Sequence, residues 1–135
     1  MNPPPFELLE HTADIGFRVW GSTLEELFEN AAAALVSFAE PAPAGGSGMA
    51  VELEAEDIES LLVAWLSEVL FLLDSGTLVP SSFAVESVEP RRLRARVAGS
   101  AGPAQWRLIV KAVTYHQIEV AQRGGRWEAT VYLDV

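Results

Sequence analysis

"IESLLVAWLSEVLFLLD", residues 58–74, is the most hydrophobic stretch of the chain and the segment around which the rest is organised. Its apolar residues lie on most sides of a helix, which predicts a helix covered by a sheet and by a second helix. Asp57 can cap its N-terminus, and Gly76 lies just beyond its end. Serines and glutamates interrupt the run, so it falls short of the roughly 18 apolar residues that a membrane span needs. We therefore expect a central core helix and no membrane association.

A second helix is predicted before it, in "GSTLEELFENAAAALVSFAEP", residues 21–41. Ser22 and Glu25 have the spacing of a capping box, in which each side chain accepts from a free backbone N–H of the first turn. Apolar residues then recur every three or four positions, and Pro41 cannot continue the helix. This pattern indicates a helix with one buried face.

The other segments alternate between apolar and polar residues as strands do. The predicted strands are residues 6–9, 15–20, 49–55, 83–89, 91–99, 105–116, 117–122 and 126–135. "RGG", residues 123–125, is a hairpin turn signal between the last two. The sequence thus predicts an α+β fold with two helices packed on one side of a largely antiparallel sheet.

Length and composition limit the classes of protein that fit. The chain has 135 residues, half of them hydrophobic, which suits a single domain over residues 1–135 with its own core. It has no cysteine, which excludes disulfides, zinc ribbons and thiol nucleophiles. "MNPPPFELLE" at the start lacks the basic and apolar regions of a signal peptide, so we expect a cytoplasmic protein.

Charge is distributed unevenly along the chain. Residues 1–89 carry sixteen acidic residues and one basic residue, whereas residues 90–135 carry three acidic and eight basic residues. An acidic body of this kind repels the phosphates of nucleic acids over most of its surface. We therefore expect no strong direct binding to nucleic acid, and a basic partner protein suits the charge better.

Three groups of polar residues are candidates for chemistry. His11 and Asp14 lie between the first two predicted strands, Lys111 and His116 lie in "KAVTYH", and Asp134 lies near the end of the last strand. Each has a structural interpretation as well, because a histidine often forms a structural hydrogen bond and a carboxylate near a loop is often a cap.

Asp134 and Val135 place two negative groups close together. The aspartate side chain and the main-chain carboxylate after it lie within one residue of each other at the end of a well-patterned strand. If sheet pairing brings Asp14 alongside, the negative groups repel one another unless a proton or a cation neutralises them. Oxygen donors favour a hard cation such as Ca²⁺ or Mg²⁺, with water completing the shell.

The sequence contains none of the common catalytic motifs: no GxSxG elbow, no P-loop, no GxGxxG and no HExxH. A metal-dependent hydrolase using Asp14, Asp134, His11 and His116 stays open as an alternative. A small-ligand-binding or chaperone-like module on the same sheet is a second alternative.

Four motifs, in the same order, resemble the archease family, small proteins that assist the RtcB-type RNA ligase. They are "EHTADIGFRVWGSTLEELFENAAAAL" (10–35), "LLVAWLSEVLFLLD" (61–74), "KAVTYHQIEV" (111–120) and "WEATVYLDV" (127–135). Because the motifs span nearly the whole chain, the resemblance is far more specific than any one of them.

The resemblance implies an accessory protein and not an enzyme: an activator that promotes guanylylation and turnover of the ligase in tRNA splicing or RNA repair. It also implies a divalent metal site, with Ca²⁺ preferred and Mg²⁺ as the alternative, whose ligands match Asp14, Asp134 and Val135. Lys111 is carried over as a functional candidate only. The family fold consists of strand-helix-strand-strand modules, one inserted in the other.

Overall fold

The structure is a computed structural model, and it describes residues 5–10, 14–42 and 46–135. Within these ranges the chain forms two helices and eight strands. In chain order they are β1 (Phe6–Glu10), β2 (Asp14–Gly21), α1 (Leu24–Val36), β3 (Ser47–Glu54), α2 (Ile58–Asp74), β4 (Val79–Glu89), β5 (Arg92–Ser100), β6 (Ala112–Val113), β7 (Glu119–Arg123) and β8 (Arg126–Asp134).

The strands form two sheets whose pairings are all antiparallel. One sheet has the order β1-β2-β8-β6, with β7 also pairing with β8, and the other has the order β3-β5-β4. The three-stranded sheet and α2 come from the continuous segment 47–100, which is inserted between α1 and the last strands of the larger sheet. The predicted α+β class with one module inserted in the other is confirmed. The division of the strands into two sheets is a feature that the alternation pattern did not reveal.

Helix α2 lies at the centre of the core, as its sequence predicted. Nine of its residues are buried, and the largest of them, Trp65, is fully buried. The Trp65 indole N–H donates to the Phe28 carbonyl at 2.9 Å, which ties α2 to α1. Asp57 is the N-cap and accepts from the Ser60 N–H at 2.8 Å, a hydrogen bond that lowers the pKa of Asp57. Among the described residues, neither helix is long and apolar enough to cross a membrane.

The cap of α1 differs by one residue from the predicted one. Thr23 is the N-cap and accepts from the Glu26 N–H at 3.1 Å, while the Glu26 carboxylate accepts from the Ser22 N–H at 3.0 Å. The expected pairing of Ser22 with Glu25 is therefore wrong. Glu25 instead faces β4, where its carboxylate accepts from the Val88 N–H.

The long strand predicted over residues 105–116 is also wrong, since only Ala112–Val113 is a strand. The preceding residues pair with the chain that leaves α1: Arg107 donates its N–H to the Phe38 carbonyl, and Trp106 forms an isolated bridge with Ala39. Alternating residues identify an extended chain with one buried side, but they do not show which backbone it pairs with.

Candidate functional site

Asp14 and Asp134, called here the aspartate pair, lie opposite each other in the larger sheet. Asp14 is the first residue of β2, Asp134 is the last residue of β8, and the two are register partners. Directly opposed residues of an antiparallel ladder point to the same face, with Cβ atoms about 4.5 to 5.5 Å apart. The neighbouring partners Ile15 and Leu133 pack on the core side, so the aspartate pair faces outward. The sheet thus sets two carboxylates side by side at its outer surface.

Asp134 is held from both sides of its strand. Ala112 of β6 is its register partner on the side away from β2, and the Lys111 N–H donates to the Asp134 carbonyl at 2.7 Å. The Lys111 side chain is exposed. Val135 is half-buried and packs against the core. The main chain at Asp134 is therefore fixed between two strands, directly opposite Asp14.

Tyr132 and Gly16 form the next pair along the same face. A Cβ atom on Gly16 would lie 2.7 Å from Cε1 of Tyr132, so the tyrosine ring lies over the glycine. Sequence reasoning missed Tyr132 as part of this surface. The signal was available in the spacing, because Tyr132 precedes Asp134 by two residues just as Gly16 follows Asp14 by two.

His116, the second predicted histidine, packs against Tyr132. Their rings meet edge to face with centroids 5.6 Å apart. Thr114 positions this turn: its hydroxyl donates to the Tyr132 carbonyl at 3.0 Å and accepts from the His116 N–H at 3.3 Å. His116 thus lies beside Tyr132, which belongs to the register pair next to the aspartate pair on this face of the sheet.

His11 lies outside the described residues, so the proposed grouping of two histidines with two aspartates is represented only in part. In the ranges that the structure covers, no three side chains of histidine, aspartate or glutamate converge as metal ligands. Among the described side chains, the two carboxylates of the aspartate pair are the ones offered to a cation, and main-chain oxygens and water can add to them. An all-oxygen set of this size fits Ca²⁺ or Mg²⁺, both of which accept water in their shells.

In the described part of this face, the arginine side chains pair with glutamates and not with the aspartate pair. On the same face of the sheet, Arg18 pairs with Glu7 at 2.7 Å, and Arg126 pairs with Glu128 at 2.9 Å. Hydrogen bonding from Arg126, together with Arg123, holds the pKa of Glu128 below its usual range. Within the described part of the chain, neither aspartate forms an ion pair. The pair is therefore a local concentration of negative charge that a cation would stabilise.

Comparison with known proteins gives one consistent family. The model of the Archease protein family (MTH1598/TM1083) matches residues 6–135. Protein archease of Methanosarcina mazei is 37% identical over 139 residues, covering 96% of this chain and 95% of the relative. Protein archease of Pyrobaculum neutrophilum is 33% identical over 142 residues, covering 98% of this chain and 97% of the relative.

Solved structures agree with the sequence matches. The solution structure of protein 1598 of Methanobacterium thermoautotrophicum has a TM-score of 0.81 and 35% identity, covering 98% of this chain and all of that chain. The crystal structure of a Thermotoga maritima archease, described as a possible chaperone, has a TM-score of 0.68 at 21% identity and supports the fold alone. Because the family model and relatives of this identity cover nearly the whole chain, the chain belongs to the archease protein family.

Proposed function

We propose that this protein activates an RtcB-type RNA ligase, promoting its guanylylation and turnover in tRNA splicing or RNA repair. It acts as a cytoplasmic accessory protein and carries out no reaction of its own. The observation that carries the proposal is the register of β2 against β8, which sets Asp14 opposite Asp134 in a chain that matches the archease family over residues 6–135.

The second part of the proposal is a divalent metal site at the aspartate pair. Asp14 and Asp134 supply one carboxylate each, a main-chain oxygen of Val135 is the third protein ligand, and water completes the shell. Ca²⁺ is the preferred ion, because it accepts six to eight oxygens in flexible geometry, and Mg²⁺ is the alternative. Few protein ligands imply modest affinity. The bound ion would remove the repulsion between the two carboxylates and fix their positions.

The outer face around the aspartate pair is the proposed contact surface for the ligase. The exposed Lys111 is held beside the pair through its backbone, and Tyr132 and His116 extend the same face along the sheet. Complementary charge raises the rate at which partners meet, and the acidic body of this chain favours a basic surface on the ligase. The same charge makes direct RNA binding weak, so the protein acts through the ligase and not through the RNA.

The proposal is tested by measuring guanylylation of an RtcB-type ligase with and without this protein. The expected result is faster guanylylation and multiple turnover when the protein is present, with no RNA joining or phosphoester hydrolysis by the protein alone. Unchanged ligase kinetics would contradict the activator function. Hydrolysis by the isolated protein that depends on Asp14 would favour the hydrolase alternative.

The metal site is tested separately by isothermal titration with CaCl₂. Wild type and Asp74→Asn are expected to bind alike, because Asp74 is an exposed aspartate at the end of α2. Asp134→Asn should bind at least about tenfold more weakly, since it removes one anionic ligand while keeping the shape of the side chain. Equal affinity in all three proteins would show that calcium, if bound, lies elsewhere.

A further inference from the structure

The free edge of β4 is held by carboxylates from α1. β4 is an outer strand of the three-stranded sheet, and its far edge faces the helix. The Glu25 carboxylate accepts from the Val88 N–H at 2.9 Å, and the Glu29 carboxylate accepts from the Val85 N–H at 2.8 Å. Two glutamates one helical turn apart thus satisfy two donors that the sheet leaves open.

The next donor along this edge is the N–H of Phe83. Every second residue of an antiparallel strand directs its N–H away from a given neighbour, and the ladder with β5 runs without irregularity from Phe83 to Val85. The Phe83 N–H therefore points to the same side as the Val85 N–H. On α1 the corresponding position, four residues after Glu29, is Ala33, which has no acceptor. The helix therefore offers carboxylates to the Val88 and Val85 N–H groups but none to the Phe83 N–H.

An apolar groove lies at this place, with a volume of about 370 Å³. Ala33 and Val36 of α1 form one side, and Pro80 and Phe83 of β4 form the other. The Phe83 ring packs edge-on against the buried Trp65 with centroids 6.0 Å apart, so that wall is fixed by the core. The volume is at the lower end of the range for small-molecule sites.

Arg107 places a cation at the groove. Its Nη2 donates to the carbonyls of Ser37 at 3.3 Å and Ala39 at 3.1 Å, and its Nε lies 3.6 Å from the Glu40 carboxylate. These contacts hold the guanidinium in position. Since its side chain is 55% exposed and a guanidinium has five N–H donors, some of them stay available to a ligand.

We infer that this groove binds a small carboxylic acid with an apolar body. The carboxylate accepts from the Phe83 N–H and from Arg107, and the apolar body packs against Val36 and Pro80. The same strand edge already binds two carboxylates, those of Glu25 and Glu29, in the same way. A longer extended peptide does not fit as an added strand, because those two glutamates occupy the edge further along. Glu29 also repels an incoming anion, so we expect a dissociation constant in roughly the millimolar range.

The test uses sodium hexanoate as the probe and the backbone amide signal of Phe83 in ¹⁵N-labelled protein as the reporter. Hexanoate should move the Phe83 amide signal in a saturable way, and hexanamide, which lacks the charge, should move it far less. An acetylated dipeptide ending in leucine is the second probe, because it presents a carboxylate and an apolar side chain at a peptide C-terminus. The probe that binds more tightly identifies which source of carboxylate the groove prefers.

Ala33→Glu and Ala33→Lys are the matched variants. Both side chains are long and favour helix. Glu continues the row of carboxylates, should satisfy the Phe83 N–H and should weaken hexanoate binding by roughly tenfold or more. Lys offers no acceptor and adds positive charge, so it should retain binding. An unmoved Phe83 amide in wild type, an equal response to hexanamide, or equal loss in both variants would overturn the proposal.

Discussion

Replacing Trp65 with alanine tests whether α2 is the centre of the fold. Trp65 is fully buried, its indole N–H donates to the Phe28 carbonyl at 2.9 Å, and its ring packs on Phe83 at 6.0 Å. The side chain thus links α2 to α1 and to the inserted sheet. Removing a buried aromatic side chain of this size costs about 3 to 5 kcal/mol, including the cavity that remains. We expect the free energy of unfolding to fall by that amount.

Two further variants separate the contributions. Trp65→Phe keeps an aromatic ring in the core but removes the hydrogen bond to Phe28, so about 1 to 2 kcal/mol should be lost. Trp20→Ala removes a half-buried tryptophan whose ring lies 4.9 Å from the Arg126 guanidinium, outside the core. Its loss should be smaller than that of Trp65→Ala by about 2 kcal/mol or more.

The assay is urea unfolding followed by circular dichroism, with the free energy extrapolated to water. Unchanged slopes against urea would show that the variants differ in stability and not in the extent of unfolding. A loss below about 1 kcal/mol for Trp65→Ala would contradict the central place of Trp65 in the core, because removing a fully buried tryptophan side chain destabilises a protein by more than that. Equal losses for Trp65→Ala and Trp20→Ala would refute it as well.

Other predictions concern the strand edge, a helix cap and RNA. Glu29→Ala leaves the Val85 N–H without its acceptor, so the free energy of unfolding in urea should fall by about 1 to 2 kcal/mol. The exposed strand edge should also increase light scattering on heating. Unchanged stability would contradict the proposal that Glu29 satisfies the edge of β4. Asp57→Asn keeps a capping oxygen but removes the negative charge of the carboxylate, whose pKa is lowered by the hydrogen bond from the Ser60 N–H. Wild type should therefore melt higher at neutral pH, and the difference should vanish as acid protonates Asp57; a gap independent of pH would be inconsistent with this. Filter binding should find only weak affinity for RNA alone, and submicromolar, strongly salt-dependent binding would overturn the charge argument.

Local features of the fold could be predicted from the sequence because short segments determine them. The bounds of α2 and its Asp57 cap follow from apolar periodicity and capping chemistry. The turn at Gly124 and Gly125 has positive φ at both residues, as a tight hairpin requires. The α1 cap was misplaced by one residue because the adjacent Ser22 and Thr23 are both favoured cap residues with a glutamate three positions later, and here Thr23 is the N-cap.

Features that depend on distant pairing could not be predicted in this way. Nothing within residues 105–116 indicates that its first half pairs with the end of α1 instead of with a sheet. The aspartate pair depends on the register of two strands at opposite ends of the chain, which a slip of one residue would destroy. The family resemblance implies Asp14 and Asp134 as joint metal ligands, which stays a prediction, and the sheet register explains why the two residues lie opposite each other. Once that register is known, the two-residue spacing places Tyr132 opposite Gly16 on the same face.

The proposed metal site is tested most directly by the rate of ligase guanylylation in the presence of Asp14→Asn, measured beside wild type and Asp74→Asn with calcium in the buffer. Asp14→Asn removes one carboxylate of the pair and keeps the shape of the side chain, whereas Asp74→Asn removes an exposed charge far from it in sequence. We expect Asp74→Asn to stimulate the ligase as wild type does. We expect Asp14→Asn to stimulate it little, although this variant should melt near the wild-type temperature in EDTA. Full stimulation by Asp14→Asn would contradict a functional metal site at the aspartate pair.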